Sequence, residues 1–323
     1  MPTDSLLEEG PVGRVADLPL SDRRHVVAAV DDPPEGTVSA SVVLVTYRSD
    51  RSEFESVLEA VDGQTAGDIE AVVVDNGTDW PVHRAVTAFD AVTAYVRLDR
   101  NRGVTTARNL GARVASSELV VFFDDDAVPA RDCVEAHRRA HSGDVLGVRG
   151  RVLTTTDTFY NRRQTWYDLG DEVRPYHLNT EGNCSYDRAT FLSAGGFDER
   201  LAGRAGHEGS DLTYRLVDSG HDRDSFVYHP DPVVYHDIDD SALSYLRKRI
   251  SRRYHKRRLI ERRPQLWDFV CSYERQTTDD DRLDRRDRVL AYAFSAASRV
   301  GCTLLELRDR AAAVSVSGRE SAE

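Results

Sequence analysis

Apolar and polar positions fall into two kinds of block along the first half of the chain. The run Val42-Val43-Leu44-Val45-Thr46-Tyr47 is short and β-branched, the pattern of a buried strand. Behind it Phe54, Val57, Leu58 and Val61 recur at three- and four-residue steps, the spacing of one helix face. A second strand follows at Ala71-Val72-Val73-Val74-Asp75. The cycle then repeats, with a weaker helix over 82–89, a strand over 94–98, a helix over 104–114 and a strand over 119–123. Strands alternating with helices predict an α/β fold with a doubly wound, mostly parallel sheet. Such sheets bind ligands at the carboxyl ends of their strands, so the polar residues that close each strand come first as candidates.

Past residue 131 the pattern is irregular. Gly-, Asp- and aromatic-rich loops surround two recognisable pieces, 182–199 and 206–215, and this half is expected to shape a second pocket. Beyond Ser241 the pattern turns helical, basic at first and mildly apolar to Leu307, with a tail over the last fifteen residues. The opening residues are rich in Asp, Glu, Pro and Gly and end in Asp31-Asp32-Pro33-Pro34-Glu35-Gly36, a turn-forming cluster. The expected division is a flexible arm over 1–38, a ligand-binding half over 39–130, a catalytic and acceptor half over 131–240, and a helical extension over 241–323.

Composition narrows the class. Of 323 residues 40% are hydrophobic, too many for a disordered chain, yet no run is long enough to cross a bilayer. The first forty residues show no signal-peptide core, so residence in the cytoplasm is expected. Acids outnumber bases 55 to 43, with 37 Asp against 18 Glu and 41 Arg against 2 Lys. Molar salt shortens electrostatic reach to about 3 Å, which suits so acidic a surface and suggests a halophile. Cys133, Cys184, Cys271 and Cys302 are far apart and read as free thiols.

Three strand ends carry candidate chemistry. Thr46 and Tyr47 close the first, where a flat amphipathic ring can lie against a base. Asp75-Asn76-Gly77 closes the second, its carboxylate placed to accept a base N–H. Asn101-Arg102-Gly103 and Arg108 open the helix at 104, a cradle for phosphate at a helix start. Val120-Val121-Phe122-Phe123-Asp124-Asp125-Asp126 is the strongest element. Adjacent carboxylates at a strand end repel one another unless a cation such as Mg2+ or Mn2+ neutralises them. His236, after another β-branched run, is a second metal-ligand candidate. Glu208 and Asp211 are candidates for taking a hydroxyl proton, with Glu208 in the loop before a helix expected at Ser210 and Asp211 in its first turn.

In this order, from about 41 to 237, these pieces resemble family 2 glycosyltransferases of the GT-A fold. The resemblance rests on Thr46-Tyr47, Asp75-Asn76-Gly77, Asn101-x-Gly103 with Ala107-Arg108-Asn109, Asp124-x-Asp126, Gly182-Asn183, Gly195-Gly196-Phe197-Asp198-Glu199, Asp211-Leu-x-x-Arg215 and Val-x-x-His236. It implies an inverting transfer from a nucleoside diphosphate sugar, uridine diphosphate most often. Tyr47 and Asp75 would line the base, with Thr46, Asn76, Asn101, Gly103, Arg108 and Asp125 also at the nucleotide-sugar. Asp124 would lie near the ribose, and Asp126 with His236 on the metal. Asn183 and His207 would face the acceptor. Gly209 stands where relatives carry the second acid of the base loop, which leaves Glu208 as the favoured base and Asp211 in reserve.

The expected activity moves a hexose or hexuronic acid to a lipid-linked, dolichol-phosphate type glycan, in surface-glycoprotein N-glycosylation. A dolichyl-phosphate sugar synthase and a non-catalytic nucleotide-sugar-binding homologue are the alternatives. A sugar-nucleotide pyrophosphorylase would want an N-terminal Gly-rich loop that is missing here. Residues 247–263 hold ten Lys or Arg and one acid, Glu261, with Leu243, Leu246, Ile250 and Tyr254 at helical spacing. That segment is expected either to dock on the anionic cytoplasmic face of the cell membrane or to pair with the acidic body. Nucleic acid is not an expected partner.

Overall fold

The computed structural model describes residues 8–33, 36–163, 167–201, 207–237, 241–273 and 283–320. It divides into two compact units, the first Met1–Thr155 with Tyr167–His236 and the second Thr156–Trp166 with Asp237–Glu323. The boundary expected near 130 is absent, because one sheet runs through both halves of the first unit.

That sheet has eleven strands: β1 (Glu8–Glu9), β2 (Val26–Asp31), β3 (Ala40–Thr46), β4 (Ile69–Asp75), β5 (Val92–Leu98), β6 (Leu119–Asp124), β7 (Val128–Pro129), β8 (Gly147–Leu153), β9 (Arg174–Pro175), β10 (Asn183–Asp187) and β11 (Phe226–Tyr235). Their order is β1-β2-β5-β4-β3-β6-β10-β8-β11-β7, with β9 on β11. The centre, β5-β4-β3-β6, is parallel as expected. Every residue of β3 is buried because helices cover both faces. Val42 and Leu44 pack with Phe54, Val57, Leu58 and Val61 of the helix Arg51–Asp62. Val43 and Val45 pack with Ala107 and Leu110 of the helix Val104–Val114. Each such side chain contributes about 1.5–3 kcal/mol on burial. The second helix comes so close that a Cβ on Gly111 would strike Val43.

Beyond β6 the sheet becomes mixed. β10 runs antiparallel between β6 and β8, and β8 is parallel to β11. This reversal, invisible in local periodicity, carries the second half of the chain back to the edge where the parallel strands end.

The expected flexible arm is instead part of the sheet from residue 8 onward. β2 pairs antiparallel with β5, Val26 opposite Leu98, and β1 pairs with β2. Arg14 donates from Nε to Asp31 Oδ1 at 2.8 Å and from Nη1 to Glu70 Oε2 at 2.7 Å, and Val15 beside it is fully buried. The signal was missed because β2 buries only a few small side chains amid Asp and Pro.

The second unit is helical: Phe159–Arg162, Ala242–Arg262, Pro264–Cys271 and Arg285–Glu320. The last helix runs through the residues expected to be a tail. Phe159, Tyr160, Tyr245 and Phe294 form an aromatic cluster with centroids 5.0–6.3 Å apart. Tyr254 is buried and a Cβ on Gly301 would strike Ile250, so the apolar side of the arginine-rich helix is turned inward. Arg257 pairs with Glu306 at 2.9 Å and Arg258 with Asp309 at 3.0 Å. Exposed apolar residues in this unit include Leu243, at the start of the arginine-rich helix, and Val289, Leu290, Tyr292, Val300, Leu304 and Leu307 on the long helix. Among the described residues no helix is long and apolar enough to cross a membrane.

Candidate active site

The acids after β6 occupy three different environments. Asp126 is half exposed, and its Oδ1 lies 3.6 Å from His236 Nδ1. The pairing of β7 with β11, which sets Tyr235 opposite Val128, brings these residues together across 110 positions of sequence. The His236 amide is further fixed by the Leu153 carbonyl at 2.9 Å. Asp124, the last residue of β6, accepts a hydrogen bond from Arg108 Nη2. Gly182 lies against the same carboxylate, where a Cβ would collide. Asp125 turns inward, accepting from Tyr47 N at 3.1 Å and from Ser49 Oγ. Burial pushes its carboxyl up to about 6, with Ser49 opposing and Asp126 and Asp124 adding to the rise. Asp125 therefore ties the loop after β3 to the end of β6, a contact that periodicity does not reveal.

The neighbouring loops are tied in the same way. Asp75 is fully buried and accepts from Gly77 N at 3.1 Å, Thr78 N at 2.7 Å and Tyr95 Oη at 2.8 Å. Those three bonds occupy most of a carboxylate's roughly four acceptor sites, so it closes the turn after β4. Asn76 bridges to the next loop, accepting from Arg102 N at 2.8 Å and donating to Asn101 Oδ1 at 3.2 Å. Asn101 Oδ1 also takes the Gly103 amide at 2.8 Å, and Gly103, at φ 93°, precedes the helix Val104–Val114. Thr46 is buried, its carbonyl held by Asn76 N at 3.0 Å. Tyr47 stays at the rim with the Arg48 guanidinium 5.0 Å from its ring centroid. Arg48, at φ 62°, is the one non-glycine with positive φ among the described residues, a conformation that costs about 1–3 kcal/mol.

On the other side of Asp124 stand the candidate proton acceptors. The helix begins at Glu208, two residues earlier than expected, so Glu208 is its first residue rather than part of the loop, and it is only 3% exposed. Asp211 is fully buried and pairs with Arg215 Nε at 2.8 Å, and Arg215 also reaches the carbonyls of Ala194 and Gly196. That side chain is committed to bracing the Gly195-Gly196 turn. His207 caps the helix start, its carbonyl taking the Asp211 amide at 2.8 Å.

Asn183, expected at the acceptor, is fully buried. Its Oδ1 meets His137 Nε2 at 2.8 Å, and its Nδ2 donates to the carbonyls of Arg151 at 2.9 Å and Pro232 at 3.0 Å. It locks β8, β10, β11 and the helix Cys133–Ala140 together and has no face toward a pocket. Burial holds His137 down to about 3, so this network is neutral.

One residue that the sequence reading passed over belongs here. Glu181 accepts the Gly209 amide on Oε1 at 2.8 Å. Burial first and Glu208 second push its carboxyl up to about 7, against the pull of Arg108. An acid directly before Gly182-Asn183, at the start of a strand facing Asp124, was the available signal.

Among the described residues no group of three or more His, Cys, Asp or Glu forms a closed metal site. Asp126 offers a carboxylate oxygen, and His236, whose Nδ1 donates to the Asp126 main-chain carbonyl at 3.1 Å, offers its other ring nitrogen. That donor set fits Mg2+ or Mn2+ completed by water and phosphate oxygens. Residues 41–197 match the family model described as Glycosyl transferase family 2. The chain carries a family 2 glycosyltransferase domain.

Relatives of this glycosyltransferase domain include the glucosyl-dolichyl phosphate glucuronosyltransferase of Haloferax volcanii, 31% identical over 186 residues, covering 52% of this chain and 58% of that protein. The pre-mycofactocin glycosyltransferase of Mycobacterium tuberculosis is 25% identical over 228 residues, covering 64% and 44%. The chain spans about half the length of the curated relatives it matches. Among solved structures, the mannosyltransferase PcManGT from Pyrobaculum calidifontis, in complex with GDP-Man and Mn2+, aligns with a TM-score of 0.53 at 20% identity, over 91% of this chain and 82% of that one. TarS 1–349 of S. aureus aligns at 0.50 and 14% identity, over 81% and 80%. These likenesses establish the GT-A fold, in agreement with the sheet order.

Proposed function

We propose that the chain is a metal-dependent inverting glycosyltransferase, moving a hexose or hexuronic acid from a nucleoside diphosphate sugar, UDP-linked first, to a dolichol-phosphate type lipid-linked glycan in surface-glycoprotein N-glycosylation. The observation that carries this reading is the pairing of Asp126 with His236 at the carboxyl edge of the sheet, beside the Arg108–Asp124 ion pair. The name of the Haloferax volcanii relative supports the lipid acceptor, and the GDP-Man and Mn2+ of PcManGT support the donor class and metal.

A bound divalent ion would supply positive charge to the departing diphosphate. Asp126 and His236 would hold it, and Tyr47 and the tied loops carrying Asp75, Asn76, Asn101 and Gly103 would form the floor under the nucleoside. Asp124, oriented by Arg108, would face the ribose, and His207 the acceptor. Glu208 would take the acceptor's hydroxyl proton as its oxygen attacks the anomeric carbon opposite the leaving group. The test is transfer from UDP-glucose, UDP-glucuronic acid and GDP-mannose to glycosylated and free polyprenyl phosphate in molar salt, with and without Mn2+. Mn2+-dependent nucleotide binding with neither transfer nor sugar release would turn the reading to a binding homologue.

The same reading places the protein peripherally on the cytoplasmic face of the cell membrane. The arginines of Ala242–Arg262 and the exposed apolar residues of Arg285–Glu320 supply the two kinds of contact that peripheral binding needs. Flotation with anionic vesicles should lose the protein when Arg252, Arg253, Arg257 and Arg258 are replaced by Ser. Unchanged flotation would remove the membrane from the proposal.

A further inference from the structure

The transfer proposed above needs one base, and the structure holds two buried carboxyls where one was expected. Glu181 is 9% exposed and Glu208 3%. They come from separate elements, Glu181 from the loop before β10 and Glu208 from the first turn of the helix Glu208–Asp218. The Gly209 amide, donated to Glu181 Oε1 at 2.8 Å, seats the Glu181 carboxyl on the amino end of the helix that Glu208 opens. Gly209 makes that seat available. A side chain there would run into the Leu178 carbonyl and come within 3.2 Å of Glu181 Oε1.

The charged groups around the pair come from three further elements. Arg108 faces it from the helix Val104–Val114, with Asp124 of the end of β6 paired to Arg108, and the Cys184 thiol lies beside them on β10. Burial raises the thiol well above its ordinary range, so it is neutral. Burial works against the Arg108 charge, but Asp124, Glu181 and Glu208 outweigh it and hold the guanidinium protonated. One buried cation thus serves the partly exposed Asp124 and two buried glutamates. Burial first and Glu208 second push the Glu181 carboxyl up, so that it takes up a proton readily.

We propose that Glu181 and Glu208 act as a single two-carboxylate base, whose doubly ionised form takes the acceptor's hydroxyl proton and shares it. This rests on the transferase reading and replaces a lone Glu208 with a pair. In the step the acceptor oxygen bonds to the anomeric carbon, and the bond from that carbon to the diphosphate oxygen breaks with its electrons leaving on the diphosphate. The hydroxyl proton ends on the pair and passes to water after the products depart. An ordinary glutamate, with a pKa of about 4.3, is a weak base at neutral pH, whereas the Glu181 carboxyl, pushed up to about 7 by burial and by Glu208, is matched to the task.

The pair can be tested with and without turnover. In protein carrying 13C-carboxyl glutamate, with no ligand, one carboxyl signal is expected to titrate near pH 7, to vanish in Glu181→Gln and to move down by more than a unit in Glu208→Gln. A signal near 7 that Glu208→Gln leaves in place, or no such signal, overturns the pairing whatever the enzyme's activity. In the transfer assay kcat/KM should rise through about pH 7. Glu181→Gln should lower kcat at least tenfold and shift that limb to lower pH, while Mn2+-dependent UDP binding stays within about twofold. Glu181→Asp, which keeps an ionisable group, should restore the limb, and serves if the glutamine variant folds poorly. The double variant should be no slower than Glu208→Gln alone, as for residues acting as one unit. Losses that multiply, or a wild-type profile in Glu181→Gln, would overturn the shared base. Absence of transfer in the wild type sinks the transferase reading instead.

Discussion

The parallel half of the sheet and the mixed half that follows it treat their polar strand ends differently. In the parallel half Asp75, Asn76, Asn101 and Asp125 spend their hydrogen bonds within and between the loops that follow the strands and fix a rim. The mixed half brings His236 beside Asp126 and gathers Glu181 and Glu208 around Arg108, the partner of Asp124. The first region is polar architecture, and the second gathers the groups proposed for the chemistry. The contrast teaches that what the opposite half brings to it decides whether an acid at a strand end ties a loop or stands as a candidate for chemistry.

The sharpest way to break this comparison is at Asp126. Because that carboxylate is half exposed, Asp126→Asn should leave the melting temperature within about 2 °C while lowering transfer about 10^3-fold and abolishing the Mn2+ dependence of UDP binding, the size expected when several kcal/mol of charge stabilisation is lost. Calorimetric titration of UDP with Mn2+ and a thermal scan together decide it. Retained metal dependence would move the ion away from the β6 edge.

Asp211 should show the reverse. Although it lies three residues from Glu208, it is fully buried against Arg215, and removing one partner of a buried ion pair costs about 3–5 kcal/mol. Asp211→Asn should therefore shift the urea midpoint strongly. Near-normal stability with lost turnover would instead make Asp211 the base.

What was legible in the sequence follows the same division. The parallel strands and their helices announce themselves through continuous apolar runs and three- and four-residue spacing, since burial on both faces is a local property of composition. Asp126 and His236 stood out as candidates because each closes such a run. Asn183 and Glu181 were not legible, because their fates depend on the antiparallel insertion of β10 between β6 and β8, which sets Asn183 opposite Phe123 and Cys184 opposite Arg149. The strand Val26–Asp31 escaped for a related reason: its partner, β5, supplies most of the contact. Helix starts are set by caps, and a two-residue error at Glu208 was enough to put it in a loop rather than in the buried first turn.

The smallest expected effect probes the rim itself. Asp125 sits between two acids, and only its partners, the Tyr47 amide and the Ser49 hydroxyl, set it apart from them. If those bonds serve to hold the loop after β3, Ser49→Ala should cost about 1 kcal/mol, the net worth of one hydrogen bond with the amide partner still in place. The loosened loop carries Tyr47, so the KM for the nucleotide-sugar should rise a few-fold with kcat nearly unchanged. A fall in kcat with unchanged KM and stability would mean that Asp125 takes part in the chemistry of its neighbours, and the line drawn between fixed rim and reactive acids would then run through the middle of Asp124-Asp125-Asp126 rather than around it.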